Sequence, residues 1–464
     1  MLEDFVGRSP ELEILNKAYA EKKSTFYPVY GRRRVGKTEL ILRFTEDKPA
    51  VFYLGKQATT EYQVGEFLEI AAEKLNEPLL AQLGELGWKK ALQLVVERRP
   101  KGEKLVIVLD EYQWITETSS ELPSILQELW DLDWSRSGKV MLILCGSYIG
   151  FMEREVLGSK SPLYGRRTGQ IQLQPFGFRE AAKFHPNYSR ADQFRVWALC
   201  GGIPFYLKQY DDRKSVAINV RENFLTPHAA LFREADFLLR EELREVETYH
   251  GILMTLSTGA LSAADLARAS SVSAASIQYY LKTLMELGYV GKSYPLSGKR
   301  PTVRSVRYVI TDPLLRFWFR FGFRNLSRIV SVRPAAAYDK VLAPQIEAYY
   351  GERFEKLCHE GISELYLRDE ITAGHEVGEY WDKKVQVDVV SLRDDEFIDI
   401  GECKWGTLRS WPAAVKEARA KAEAFPNPLG RTLAPWLFTR LKPKAGEIDG
   451  VRCVGVEELY GSRG

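Results

Sequence analysis

The stretch that most constrains this chain is Gly31-Arg32-Arg33-Arg34-Val35-Gly36-Lys37-Thr38, which fits G-x-x-x-x-G-K-[ST] without a mismatch. It follows an apolar, β-prone run, Phe26 to Tyr30, and opens into the helical pattern Glu39-Leu40-Ile41-Leu42-Arg43-Phe44. A strand, a glycine-bearing loop and a helix N-terminus in that order turn backbone N–H groups toward an anion. Gly31, Arg32, Arg33, Arg34, Val35, Gly36, Lys37, Thr38 and Glu39 are therefore the expected nucleotide-binding residues. Lys37 would reach the β- and γ-phosphates, and the Thr38 hydroxyl would ligate Mg²⁺. No Asn-Lys-x-Asp element, which reads guanine, occurs in the chain. Adenine is the expected base, and ATP the expected nucleotide.

Lys104-Leu105-Val106-Ile107-Val108-Leu109 is an apolar run that ends in Asp110-Glu111. It reads as a buried parallel strand with a functional C-terminal end. Asp110 is placed to hold the Mg²⁺ water shell and Glu111 to polarise the attacking water. Two acids closing an apolar strand are costly without partners, which argues against a mere loop start. Further strands are expected at Val51 to Leu54, Val140 to Leu144 and Ile171 to Leu173.

A chain of 464 residues exceeds one ordinary core and is expected to hold two to four domains. Hydrophobic content of 45% and charged content of 27% describe an ordinary globular chain, and a net charge of +3 leaves any partner to local clustering. The five cysteines are widely spaced without CxxC or His-rich pattern, which speaks against a disulfide framework or a structural zinc. The start, Met1-Leu2-Glu3-Asp4, is acidic where a signal peptide is basic, and no apolar run approaches a bilayer span. A cytoplasmic location without membrane embedding is expected.

From Thr248 the pattern changes to short helices, Tyr249 to Leu256, Leu261 to Ala267 with Ser262 as N-cap, and Ser273 to Leu284. Tyr289-Val290 and Arg307 to Ile310 then flank a Gly/Pro-rich loop, a hairpin signature. Three helices and a hairpin resemble a winged helix-turn-helix. Lys292, Lys299, Arg300, Arg304 and Arg307 fall between Gly288 and Thr311 with no acid, the footprint of a wing touching DNA phosphates. Plain protein docking is the other use of such a module. Arg316, Arg320, Arg324 and Arg328 recur every four residues among Phe317, Trp318, Phe319, Phe321 and Phe323. On a helix this makes either a basic ridge continuing the wing or an aromatic packing face with arginines at its rim. Residues 334–338 read as a linker.

The last part opens with a helix, Ala343 to Glu360, and continues with strands Val385 to Val390 and Phe397 to Trp405. An Ala/Lys-rich helix, Pro412 to Ala424, and a strand around Trp436 to Phe438 follow. Asp388 on one strand and Glu402-x-Lys404 on the next make the PD-(D/E)xK nuclease pattern. Period two puts Glu402 and Lys404 on one sheet face. Asp388 and Glu402 would share Mg²⁺ or Mn²⁺, Glu355 (less readily Glu352) would complete the metal shell, and Lys404 would steady the developing phosphorane charge. Two exposed edge strands with ordinary salt bridges are the plainer alternative.

Taken together, the order of parts resembles the archaeal-type ATPase family: a STAND/AAA+-like P-loop domain, a winged helix and a C-terminal restriction-endonuclease-like domain. The supporting phrases are Phe5-Val6-Gly7-Arg8, Leu109-Asp110-Glu111, Cys145-Gly146-Ser147, Tyr164-Gly165-Arg166, Gly201-Gly202-Ile203-Pro204, Thr311 to Trp318 and Gly401-Glu402-Cys403-Lys404-Trp405. The resemblance implies an α/β multidomain chain, with a parallel P-loop NTPase sheet and a helical lid, a winged helix-turn-helix, and a restriction-endonuclease-like α/β domain. The expected boundaries are 1–175 for the ATPase core, 176–245 for the lid, 246–312 for the winged helix, 313–340 for a basic, aromatic connector and 341–464 for the nuclease-like domain. It also implies roles for Arg8 and Pro204 on the adenine side, for Ser147 as a γ-phosphate sensor, and for Arg166 or Arg167 as an arginine finger in trans, hence a homo-oligomer. Val387 stands where the nuclease pattern has proline, a position that varies. The function implied is an ATP-hydrolysing, DNA-directed protein coupled to a metal-dependent nuclease. An ATP-gated regulator with a non-catalytic C-terminal interaction module is one alternative, and a DNA-processing scaffold that barely hydrolyses ATP is another.

Overall fold

Five parallel strands carry the first unit, Met1–Pro175. They are β1 (Thr25–Tyr30), β2 (Ala50–Leu54), β3 (Leu105–Asp110), β4 (Val140–Gly146) and β5 (Ile171–Gln172), in the order β2-β3-β4-β1-β5. Every residue of β3 and β4 is buried, as their unbroken apolar runs require of strands covered on both faces. The order sets β4 between the strand that feeds the glycine loop and the strand that ends in Asp110. Three C-terminal strand ends thereby converge at one edge, where α/β sheets bind ligands. The structure is a computed structural model that describes residues 5–84, 86–298, 302, 305–441 and 445–461. Lys299, Arg300 and Arg304 lie outside the described residues.

The second unit, Phe176–Gly464, begins with helices that include Arg190–Cys200, Pro204–Leu207, Val216–Phe224 and Glu234–Glu242. Helices Val246–Leu256, Ala263–Ser270 and Ile277–Glu286 follow, then the antiparallel pair β6 (Val290–Ser293) and β7 (Arg307–Ile310). Leu261 bridges Tyr308 as a third short strand, and the Ser262 side chain accepts from Asp265 N as the expected cap. This is a winged helix-turn-helix, closed over a core of Ile252, Leu266, Leu281, Tyr308 and the following Trp318 and Phe319.

Phe317, Trp318, Phe319 and Phe321 are buried, so the aromatic residues of 313–333 form a packing face. The basic ridge does not form, because Arg316 and Arg320 both bind Glu352 (2.8 and 2.7 Å) and Arg324 donates to Met254 O. The expected linker is also helical, Pro334–Ala337, continuing into a turn Tyr338–Leu342 with Ala337 buried. Pro334 stands in the first turn, where its missing N–H costs nothing, and three alanines propagate it.

A six-stranded mixed sheet completes the unit: β8 (His375–Trp381), β9 (Gln386–Arg393), β10 (Phe397–Lys404), β11 (Thr432–Thr439), β12 (Glu447–Ile448) and β13 (Val451–Gly455). Its order is β12-β13-β11-β10-β9-β8, so β9 and β10 are interior strands rather than exposed edges. The long helix Ile346–Arg368, eight residues longer at its C-terminal end than the sequence reading, packs along β9 and β10.

Candidate functional site

The glycine loop is shaped by close approach and by positive φ. A Cβ on Gly31 would meet Leu173 O at 2.3 Å, and Gly36 sits at φ 93 before the helix Lys37–Thr45. Neither position tolerates a side chain cheaply. Lys37 is 6% exposed and its ammonium donates to Gly31 O at 2.9 Å and Arg32 O at 3.0 Å, so its charge is held over the loop that would receive phosphate. Arg32, Arg33, Arg34 and Glu39 flank the loop at intermediate burial, and Val35 is buried.

Thr38 Oγ1 donates to Asp110 Oδ2 at 2.8 Å, which joins the loop to the end of β3. A hydroxyl and a carboxylate in contact are the oxygen donors that an octahedral Mg²⁺ takes beside phosphates and waters. Asp110 is 1% exposed, and its other oxygen accepts Glu111 N at 2.8 Å. Glu111 stands at φ 48, a left-handed conformation that a glutamate adopts only under constraint. That turn sends its carboxylate to Ser147 Oγ (2.8 Å) beyond β4 and to Gln113 Nε2. Gln113 also donates to Ser147 Oγ at 3.3 Å. Glu111, Ser147 and Gln113 thus form one network, of which the sequence reading lacked Gln113. No pattern points to a glutamine two residues past an acid.

Arg8, at φ 63, reaches back to the loop: it donates to Val35 O (3.1 Å) and Gln174 O (2.8 Å) and pairs with Glu11 (3.1 Å). It braces the loop backbone, a mechanical task beside the adenine role implied by resemblance. Arg166 is turned onto its own unit, bidentate to Asp131 (2.9 and 2.6 Å) and bonded to Pro162 O and Tyr164 O. Of the two finger candidates, Arg167 is the exposed one. Pro204, in the second unit, is buried and opens the helix Pro204–Leu207.

In the second unit the antiparallel register pairs Gly401 with Val389, and continuing it by one residue sets Glu402 opposite Asp388. Both are buried, at 3% and 9% exposure. Asp388 Oδ2 accepts Cys403 N at 2.9 Å. Burial, then the facing Glu402, pushes the Asp388 carboxyl up to about 7. Glu355, on the long helix, is pushed up to about 8 by burial first and by Asp388 next. Lys404 lies on the same face as Glu402, as period two requires, at 2.7 Å, and also bonds Glu417 at 3.0 Å. Lys421 takes the other Glu402 oxygen.

Lys421, Glu417 and His359 were missed by sequence. Glu417 and Lys421 are four apart beside the buried Ala414–Ala418 face of their helix, a pairing that helical spacing makes visible. His359 Nε2 bonds Asp388 O and burial lowers its pKa to about 4, so it is a neutral prop of the strand. The expected three-carboxylate shell is not assembled: among the described residues no group of three or more His, Cys, Asp or Glu could hold a metal ion. Lysines occupy both Glu402 oxygens, and Glu352, the lesser candidate, is spent on Arg316 and Arg320.

The wing departs from expectation in its setting. Leu296 N donates to Glu379 O of edge strand β8 at 2.8 Å, and its side chain is buried with Tyr380, Val387 and Ile398. Ser293 Oγ bonds Glu379, and the Arg307 guanidinium stacks over Trp381 at 4.6 Å. An apolar wing residue and an unpaired strand edge satisfy each other. Of the two described basic wing residues, Lys292 is exposed and Arg307 is held by that ring. Among the described residues no helix is long and apolar enough to cross a membrane.

Three sequence profiles match this chain in tandem. Residues 5–210 match an ATPase domain predominantly from Archaea, 253–293 an IclR helix-turn-helix domain, and 318–419 archaeal and bacterial proteins of unknown function. The uncharacterized protein MJECL04 of Methanocaldococcus jannaschii is 27% identical over 415 residues, 87% of this chain and 88% of its own. The uncharacterized ATP-binding protein MJ0423 of the same organism is 52% identical over 44 residues, 10% of this chain and 75% of its own. The Walker-type ATPase paby2304 of Pyrococcus abyssi shares the fold, with a TM-score of 0.50 at 17% identity, over 68% of this chain and 97% of that one.

Proposed function

The chain belongs to the archaeal-type ATPase family, and from that premise we propose that it is a DNA-directed ATPase coupled to a metal-dependent nuclease in its C-terminal domain. On this reading Lys37 and the loop N–H groups hold the phosphates of ATP, and Arg8 keeps the loop in shape. Glu111, fixed by Ser147 and Gln113, orients the attacking water. Mg²⁺ between Thr38 and Asp110 would neutralise charge on the β- and γ-oxygens. Arg167 is the better-disposed finger, which would make the active form an oligomer. The helix-turn-helix supplies the DNA-directed part, its third helix presenting Tyr279, 65% exposed.

The observation that carries the nuclease reading is Asp388 facing Glu402 on interior strands with Lys404 on the same face. Two carboxylates set together in low dielectric raise each other's pKa unless a cation lies between them. A divalent ion would polarise the phosphodiester and its water, and Lys404 would meet the charge that develops on phosphorus-bound oxygen. Labelled single-stranded, duplex and branched DNA, with Mg²⁺ or Mn²⁺ and with or without ATP, form the test. Wild type is expected to cut, and Lys404→Ala to lose cutting while hydrolysing ATP normally. Cutting by Lys404→Ala at the wild-type rate would exclude this assignment.

A second reading is favoured by the lysine clamp on Glu402: a non-catalytic interaction module gated by ATP. It predicts that wild type cuts no substrate in the panel while the protein still binds DNA or a protein partner in an ATP-dependent way.

A further inference from the structure

Within the second unit, a cavity of about 530 Å³ opens between the wing and the long helix Ile346–Arg368. Its walls bring together Lys292 of β6, Arg316, Arg353 and Lys356, with Glu355 among them. Arg353 is 6% exposed, and its Nε has no hydrogen-bond partner among the described residues; nor has Nε of Arg316. A buried N–H left unpaired costs about 1–3 kcal/mol, which an arriving anion would offset. Glu352, Glu376 and Glu379 also line the space, so its character is mixed rather than simply basic. Cations and carboxylates in one cavity suit a phosphodiester that arrives with a divalent counter-ion. Tyr294, at the wing and 40% exposed, adds an aromatic face to the same lining.

We propose that this cavity receives an unpaired end of a nucleic-acid strand, its phosphate on the Arg353 and Lys356 wall and its terminal base against Tyr294. The proposal rests on the nuclease reading of Asp388, Glu402 and Lys404, and it names the substrate of that site. Single strands are held where a positive groove meets aromatic rings, because every base offers a π-face. Size decides against a duplex. The cavity falls in the range of roughly 300–1,000 Å³ that takes small ligands, whereas the major groove of a duplex alone is about 12 Å wide. Asp388 and Glu402, at 9% and 3% exposure, are likewise out of reach of a backbone that stays paired. A splayed strand passing Glu355 toward Asp388 meets both conditions.

The test uses the full chain, a fluorescently labelled thymidine hexamer, its RNA counterpart, and a duplex closed at both ends by hairpin loops. Affinities are measured in EDTA, so that cleavage does not intervene. Tyr294→Ala is expected to weaken hexamer binding about tenfold, in line with the loss of one stacked base. Lys356→Glu, on a different element, is expected to do the same, and neither changes affinity for the closed duplex. Melting curves matching wild type show that each variant is folded. Hexamer binding unmoved by either variant, or duplex binding weakened equally, overturns the assignment. RNA binding equal to DNA keeps the strand-end site and removes its preference for DNA. Mg²⁺ is then added to separate the two readings. A hexamer bound through Tyr294 but left intact by wild type keeps the cavity as a strand-end site and removes the nuclease. Cutting of the closed duplex at equal rates by wild type and Tyr294→Ala removes the strand-end assignment and keeps the nuclease.

Discussion

The P-loop site and the C-terminal site each hold two acids in strongly buried strand surroundings, yet keep them in opposite ways. At the P-loop each acid has its own neutral donors: Thr38 and the Glu111 amide for Asp110, Ser147 and Gln113 for Glu111. Hydrogen bonds of this kind stabilise a carboxylate without cancelling its charge, so the site stays ready for a cation and a phosphate. In the C-terminal domain Asp388 faces Glu402, Glu355 adds a third carboxyl, and Lys404 and Lys421 grip Glu402. Repulsion is held there by proton uptake and ammonium groups, which a divalent ion would have to displace. One site is preorganised and the other is latched.

Substitution of the acids separates the two sites most strongly. Glu111→Gln is expected to slow ATP hydrolysis by about 10²–10⁴-fold with nucleotide binding retained, since it removes a base and not a phosphate contact. Asp388→Asn is expected to leave hydrolysis unchanged. Steady-state turnover with a parallel nucleotide titration reads both, and wild-type turnover in Glu111→Gln would break the proposed division of roles. Ser147→Ala comes next, with a loss of about 10–100-fold in kcat and little change in KM, because it acts through Glu111. Ser147→Thr, which keeps the hydroxyl, is expected to restore most of the rate.

The latch has its own signature in pH. Glu355 has a folded pKa of about 8, above its unfolded value, so between about pH 4.5 and 8 the folded state binds more protons than the unfolded one. Stability from this group is therefore present at low pH and is lost as pH rises through the window. Relative to Glu355→Gln, wild type is expected to melt at progressively lower temperature from pH 4.5 to 8, and Mg²⁺ above pH 8 is expected to recover part of the difference. Parallel melting curves at all pH values would show that the carboxyls do not repel. The smallest effect is expected at Arg166. Arg166→Ala removes a surface pair with Asp131 worth about 0–1 kcal/mol and leaves ATP turnover intact. Arg167→Ala is expected to lower it, and to abolish any rise of turnover with protein concentration.

How much was legible follows the range of the interactions. The glycine loop and the Asp110-Glu111 step were readable because strand, loop and helix lie within a few residues of one another. The helix-turn-helix was readable from caps and turns, such as Ser262 before Ala263–Ser270. The 334–338 stretch was misread because Pro334 looked like a break, although proline is at home in a first helical turn. Arg316 and Arg320 looked like a surface stripe. Only the approach of Glu352 from the long helix shows them to be internal ion-pair partners.

What the sequence by itself determined is the set of local commitments: a phosphate loop, an acid-tipped parallel strand, a three-helix module with a hairpin, and an acid followed by Glu-x-Lys on neighbouring strands. Each is written in periodicity and spacing along a single segment. Only the tertiary structure decided that Glu111 meets Ser147 and Gln113, that Glu402 is held by Lys421, and that Leu296 of the wing is buried against β8. Those contacts join residues that spacing does not relate. They exist because strand register, helix docking and edge pairing close long loops at once, and the cost of that closure is met by the whole fold rather than by any motif within it.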